Sequence, residues 1–144
     1  MDGMREQVRR FNLLATEIDA AYHEATLKLG LSDSAMIILY TICLFEGACP
    51  LGDIVALSGL PKQTVNSALR KLEGEDVVYL EAEGRKKRVC LTEKGRGLAE
   101  KTALRIMEIE NGIFAAWTPE ERETYLRLTR RYLAMLREEI QALK

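Results

Sequence analysis

From Pro50 to Glu73 the chain reads "PLGDIVALSGLPKQTVNSALRKLE". Two short helical stretches are separated only by the turn around Gly59. No other stretch constrains the fold as much, because two amphipathic helices so close in sequence must cross and share one core. Pro50 and Pro61 suit helix starts, where a missing N–H would be unpaired anyway. On the second stretch, Val65, Ala68, Leu69 and Leu72 fall on one side at helical spacing. The opposite side carries Lys62, Gln63, Thr64, Asn66, Ser67, Arg70 and Lys71. It lacks the Glu–Lys pairs of an ordinary solvated helix. It is rich instead in groups that bond base edges and phosphates: Gln and Asn toward adenine, Arg toward guanine, and Lys, Ser and Thr toward phosphate.

After Glu73 the period changes. Two β-prone runs, Val77–Glu81 and Arg88–Leu91, flank "AEGRKK", which predicts a β-hairpin with a basic tip at Arg85, Lys86 and Lys87. A lone hairpin is marginal in water, so this one must lean on the helices. Between Pro61 and Arg96 there are nine positive and six negative side chains, a local charge of +3 in a chain whose net charge is −1. The remainder is therefore −4. Positive charge gathers where phosphate contact would need it.

The rest of the chain reads as helix. Val8, Phe11, Ala15, Ile18, Tyr22, Ala25 and Leu29 form a heptad-like stripe that Gly30 ends. Ser32 then caps a helix bearing "AMIILYTICLF", an apolar run too short to span a bilayer, which is expected to end near Glu46. Past the hairpin, Thr92 caps one long helix expected to run unbroken to about Trp117. Thr118, Pro119 and Glu121 write a capping box for the last helix. The predicted order is thus four helices, a hairpin and two helices. The terminal helices carry more apolar surface than a small lobe can cover, and a second copy of the chain is the simplest cover.

At 47% hydrophobic and 30% charged, the 144 residues have the composition of a globular chain and not of a disordered one. Three cysteines without framework spacing, and a charged, polar start, make a reducing, cytoplasmic setting the expectation. One histidine, no Cys/His metal spacing and no phosphate-cradling glycine loop leave little from which to build a catalytic or metal site. Neither an enzyme nor a cofactor is expected.

The stretch "LGDIVALSGLPKQTVNSALRKLEGEDVVYLEAEGRKKRVCLTEKG" resembles the MarR family of winged-helix transcription regulators. The specific combination is a short helix, a Gly-Leu turn, a helix with "TV" near its start and "LE" at its close, two strands and "LTEKG". The resemblance implies a mainly α fold with a small β-hairpin: a winged helix-turn-helix with long N- and C-terminal dimerisation helices. Residues 31–92 would form the DNA-binding lobe, and residues 1–30 and 93–144 the helical dimerisation region. A homodimeric repressor on a pseudo-palindromic operator would follow. Its reading helix, containing Asn66, would lie in the major groove, and the hairpin would reach the minor groove as a wing. The family's wing carries Asp-x-Arg, which Glu83-Gly84-Arg85 matches with Glu in place of Asp. Pro61 stands where family members often have a capping Ser, so a phosphate or water is left to cap the helix.

The resemblance also implies a small phenolic or other aromatic effector, with Tyr22, His23, Met36, Tyr40 and Phe114 near its crevice. Taken from the residues alone, each of these reads first as a core or seam residue. Two alternatives stay open. One is a thiol-based redox sensor, for which Cys49, beside Pro50, is the candidate and Cys43 reads as buried and inert. The other is a winged helix that meets a protein through the Gln63, Asn66 and Arg70 face.

Overall fold

The computed structural model describes residues 2–144. It divides into two compact units, one running through Ile106 and one covering 107–144. The first unit comprises α1 (Asp2–Lys28), α2 (Asp33–Leu44), β1 (Ala48–Pro50), α3 (Leu51–Ser58), α4 (Lys62–Gly74), β2 (Val78–Glu83), β3 (Lys86–Leu91), α5 (Glu93–Lys101) and the start of α6 (Ala103–Ala116). The rest of α6 and α7 (Pro119–Gln141) form the second. The architecture is the expected one, mainly helical with a small antiparallel sheet.

Local chemistry sets the helix ends. The Ser32 hydroxyl accepts the Ala35 N–H at 3.2 Å and starts α2. Thr92 accepts from the Gly95 N–H at 2.9 Å and starts α5. Thr118 and Glu121 close their reciprocal capping box at 2.9 and 3.1 Å. Helix α2 is the hub of the first unit. Its Ile38, Leu39 and Ile42 are fully buried, together with Ile54 of α3, Val65 of α4, Val78 of β2 and Val89 of β3. Each such side chain contributes about 1.5–3 kcal/mol on burial, so the lobe holds α4 and the sheet on one firm core.

Three expectations need correction. The sheet has three strands, in the order β1-β3-β2, with Cys49 of β1 opposite Val89. Strand β1 is three residues long and ends in Pro50, an edge position where proline is tolerated, and so short a run shows no alternation to read. Helix α2 stops at Leu44, before the expected Glu46, which instead takes a left-handed backbone (φ 60°) beside Gly47 (φ 101°). The long helix after Thr92 breaks at Thr102, whose backbone leaves helical values (φ −128°, ψ −88°) while its hydroxyl donates to the Leu98 carbonyl at 2.7 Å. Threonine back-bonding of this kind bends helices, and here it accompanies the break between α5 and α6.

In the second unit, Phe114 stacks on Trp117 at 5.1 Å between ring centroids, and Tyr125 meets both edge-on. Arg122 ties this corner, donating to the Phe114 and Trp117 carbonyls at 3.0 and 2.7 Å. Among the described residues, no single helix is long and apolar enough to cross a membrane.

Candidate nucleic-acid interface

Gly59 ends α3 in a left-handed conformation (φ 72°) that L side chains rarely adopt, and only Leu60 and Pro61 separate it from α4. The Leu60 N–H is held by the Ser58 hydroxyl at 3.2 Å. Pro61 is the N-cap of α4 and supplies no side-chain bond. The first turn of α4 thus receives no cap from its N-cap side chain, at the partial positive pole of the helix.

Burial of Val65, Leu69 and Leu72 decides which side of α4 looks out. Lys62, Gln63, Thr64, Ser67, Arg70 and Lys71 are exposed, and Asn66 is half-buried. All seven predicted reading residues therefore lie off the core side. Asn66 and Arg70 share more than a face. The Arg70 Nε lies 3.5 Å from the Asn66 carbonyl oxygen, and both side chains line a groove of about 290 Å³ floored by Leu51, Leu69 and Leu80. Glu73 lines the same groove and was absent from the sequence expectation. Asn66, Leu69 and Glu73 fall at i, i+3 and i+7 in the same wall, and that spacing was the available signal.

The wing is tighter than expected. Strands β2 and β3 pair from Val78↔Leu91 to Glu83↔Lys86, leaving only Gly84 and Arg85 as the turn. Gly84 has φ 64°, as a two-residue hairpin led by glycine requires. Arg85, Lys86 and Lys87 are exposed and, among the described residues, have no ion-pair partner. Among the described residues, Glu83 does not pair with Arg85. Its carboxylate faces Arg88 at 3.5 Å, and Glu81 faces the same guanidinium at 3.3 Å. Those two carboxylates push the Arg88 pKa up.

At its base the wing is clamped to α5. The Thr92 N–H donates to the Val77 carbonyl at 3.0 Å, its hydroxyl donates to the Asp76 and Val77 carbonyls, and Lys94 donates to the Glu75 carbonyl at 2.8 Å. Gly95 packs so closely here that a Cβ would run into the Val77 carbonyl oxygen.

The residues expected near an effector are placed differently from one another. Met36 packs in the core of the first unit, and Tyr40 is half-buried beside it. Tyr22 is exposed on α1. His23 is held by Asp33, its Nδ1 lying 2.9 and 2.8 Å from the two carboxylate oxygens. Phe114 belongs to the aromatic corner of the second unit. A cavity of about 200 Å³ in the first unit is lined by Cys43, Glu46, Gly47, Leu91, Arg96, Ala99, Glu100 and Leu104, none of them among these five.

Cys49 is the candidate sensor thiol. It is fully buried and its Sγ–H points at the Pro50 carbonyl, 3.4 Å away. Burial, helped by the Asp53 charge, pushes its pKa from the ordinary 9.0 up to about 11. A thiol reagent at about pH 8 is therefore expected to leave Cys49 unmodified until the chain unfolds, with half-buried Cys43 reacting first. Mass spectrometry of the labelled peptides checks this, and native-state labelling of Cys49 would contradict it. The folded thiol keeps its proton where the unfolded one loses it. Cys49 is thus expected to contribute stability that is intact below pH 9 and declines as pH rises toward 11.

The family model of the MarR family matches residues 29–89, which spans α2 through most of β3. No curated protein matches the chain significantly in sequence. Among solved structures, a MarR-family transcriptional regulator from Silicibacter pomeroyi is 26% identical, covering 86% of this chain and 85% of its own at a TM-score of 0.68. NMB1585, a MarR-family regulator from Neisseria meningitidis, is 24% identical with a TM-score of 0.77 over 94% of this chain and 96% of its own. BpsR of Bordetella bronchiseptica, whose DNA binding is regulated by 6-hydroxynicotinic acid, is 24% identical with a TM-score of 0.65 over 88% of this chain and 98% of its own. The α2–β3 lobe thus matches the MarR family model, and the chain is similar in fold, over most of its length, to MarR-family transcription regulators.

Proposed function

We propose that the chain acts in the cytoplasm as a homodimeric repressor, with α4 of each protomer in a major groove and each wing tip against the adjacent minor groove. The operator is a pseudo-palindrome whose half-sites lie about one helical turn apart. The observation that carries this reading is the pairing of two surfaces in one lobe: the polar outer face of α4 and an uncommitted basic tip of Arg85, Lys86 and Lys87. Residues 31–92 serve as the DNA-binding lobe, and residues 1–30 and 93–144 serve dimerisation. For the dimer, α1 leaves Val8, Phe11 and Ile18 about half exposed, and α7 leaves Tyr132, Leu133, Leu136 and Ile140 in the same condition. Apolar stripes of this length are costly to leave wet.

A small aromatic effector modulates DNA affinity by binding one spacing of the two reading helices better than the other. The likeness to BpsR, regulated by 6-hydroxynicotinic acid, supports that chemical class. Tyr22 and Tyr40 supply phenolic hydroxyls suited to that class.

In-vitro selection of duplex DNA by the purified protein, with sedimentation to fix its oligomeric state, tests the proposal. A two-fold symmetric consensus bound by a dimer is the expected result. A monomer, or a protein without affinity for any duplex at low ionic strength, would refute it. Binding should fall steeply with salt, whereas a winged helix serving protein contact would show no such dependence on duplex. Arg85→Ala is expected to weaken binding on many sequences alike and to lower the slope of log affinity against log salt by about 1 per protomer. An unchanged slope would remove the wing tip from the interface.

A further inference from the structure

The wing carries four consecutive cations and does not use them alike. Arg85, Lys86 and Lys87 are exposed and without ion-pair partners among the described residues, whereas Arg88 turns back along the sheet. Its Nη2 lies 3.3 Å from Glu81 Oε2 and its Nε 3.5 Å from Glu83 Oε2. Register explains the arrangement. Glu81 sits directly opposite Arg88, and Glu83, two residues farther along β2, shares its face. Glu81 Oε2 also accepts from the Cys90 thiol at 3.6 Å, so this carboxylate is held from two sides.

The two glutamates lie on the strand that leads to the tip, and only Gly84 separates Glu83 from Arg85. Two strand residues span about 7 Å. That is less than the screening length of about 10 Å at 0.1 M salt. Left uncompensated, Glu83 would repel a phosphate approaching Arg85, and Glu81 one approaching Lys87, the neighbour of the Arg88 it faces. A surface ion pair adds little to stability. Its effect on the local field is a separate matter, and it is the field that a polyanion meets.

We infer that Arg88 is a positioning residue for DNA binding: it neutralises Glu81 and Glu83 so that Arg85, Lys86 and Lys87 meet the backbone unopposed, and does not itself grip the duplex. This rests on the wing–duplex reading above. With Nε and Nη2 turned to the carboxylates, a direct phosphate contact would be limited to the donors they leave over, Nη1 first.

Fluorescence anisotropy with a labelled duplex recovered by selection tests the assignment, over a series of salt concentrations and with thermal melts to confirm each fold. At low salt Arg88→Gln is expected to weaken binding about fivefold, the scale of a partly screened charge pair, and Arg88→Lys to stay within about twofold. In a Glu81→Gln/Glu83→Gln background, Arg88→Gln should add less than about twofold, because nothing remains to neutralise. Equal losses in both backgrounds would mean that Arg88 contacts DNA directly, and would overturn the inference. So would no loss for Arg88→Gln where Arg85→Ala still weakens binding. If Arg85→Ala and Arg88→Gln are both silent, the wing reading itself fails and this inference with it.

Discussion

Replacing Gly95 by alanine is expected to lower the stability of the first unit by about 3 kcal/mol, the upper range for overpacking a closely fitted site. The cause is local and severe. A methyl at this position runs into the backbone carbonyl oxygen of Val77, which cannot rotate aside as a side chain could. That oxygen also accepts the Thr92 N–H at 3.0 Å and the Thr92 hydroxyl at 3.2 Å. Moving it strains the clamp that joins β2 to α5, and with it the base of the wing. Gly97, two residues on in the same helix, provides the control. Nothing lies within 4 Å of its added Cβ. Gly97→Ala should therefore be neutral or stabilising by up to about 1 kcal/mol through helix propensity alone. Urea unfolding distinguishes the two, through a lowered midpoint at constant slope for Gly95→Ala and none for Gly97→Ala. Matching midpoints would show that α5 and β2 approach less closely than described.

Arg70→Ala carries the largest expected effect on function, about 1–3 kcal/mol of binding free energy per half-site. The side chain is exposed on α4, and its stem lies over the Asn66 carbonyl at the edge of the groove floored by Leu51, Leu69 and Leu80. A guanidinium so placed can fork onto guanine O6 and N7, a contact that alanine cannot replace with a water of equal specificity. The loss should fall on sequence preference as well as affinity. Repeated selection with the variant should yield a consensus relaxed at one position in each half-site and otherwise intact. A consensus identical to that of the parent protein would remove Arg70 from base reading and leave Gln63 and Asn66 to carry it.

Much of this was legible in the residues themselves. The caps at Ser32, Thr92 and Thr118 are local hydrogen bonds between near neighbours, and each forms as its sequence signal indicated. The inner side of α4 followed from the spacing of Val65, Leu69 and Leu72 alone, because a helix rotates by a constant angle per residue. Strand β1 was hidden, since its pairing with β3 joins Cys49 to Val89 across forty residues and three residues show no period of their own. The break at Thr102 was hidden for a related reason: its stripe of apolar neighbours continues through it, and only the backbone shows the interruption.

The clearest division lies in the wing. Sequence alone determined that four cations would follow a glycine at a hairpin tip, and that a polar helix would precede them. It could not say which of the four would be free. Strand register decided that, by setting Arg88 opposite Glu81 and on the same face as Glu83 while Arg85 stands in the turn with no carboxylate against it. Fractional burial of Cys49 was decided in the same way, by a core assembled from segments remote in the chain. Propensities and caps act over three or four residues and can be read along the chain. Charge pairing and desolvation depend on distances in space, and only the folded arrangement fixes those.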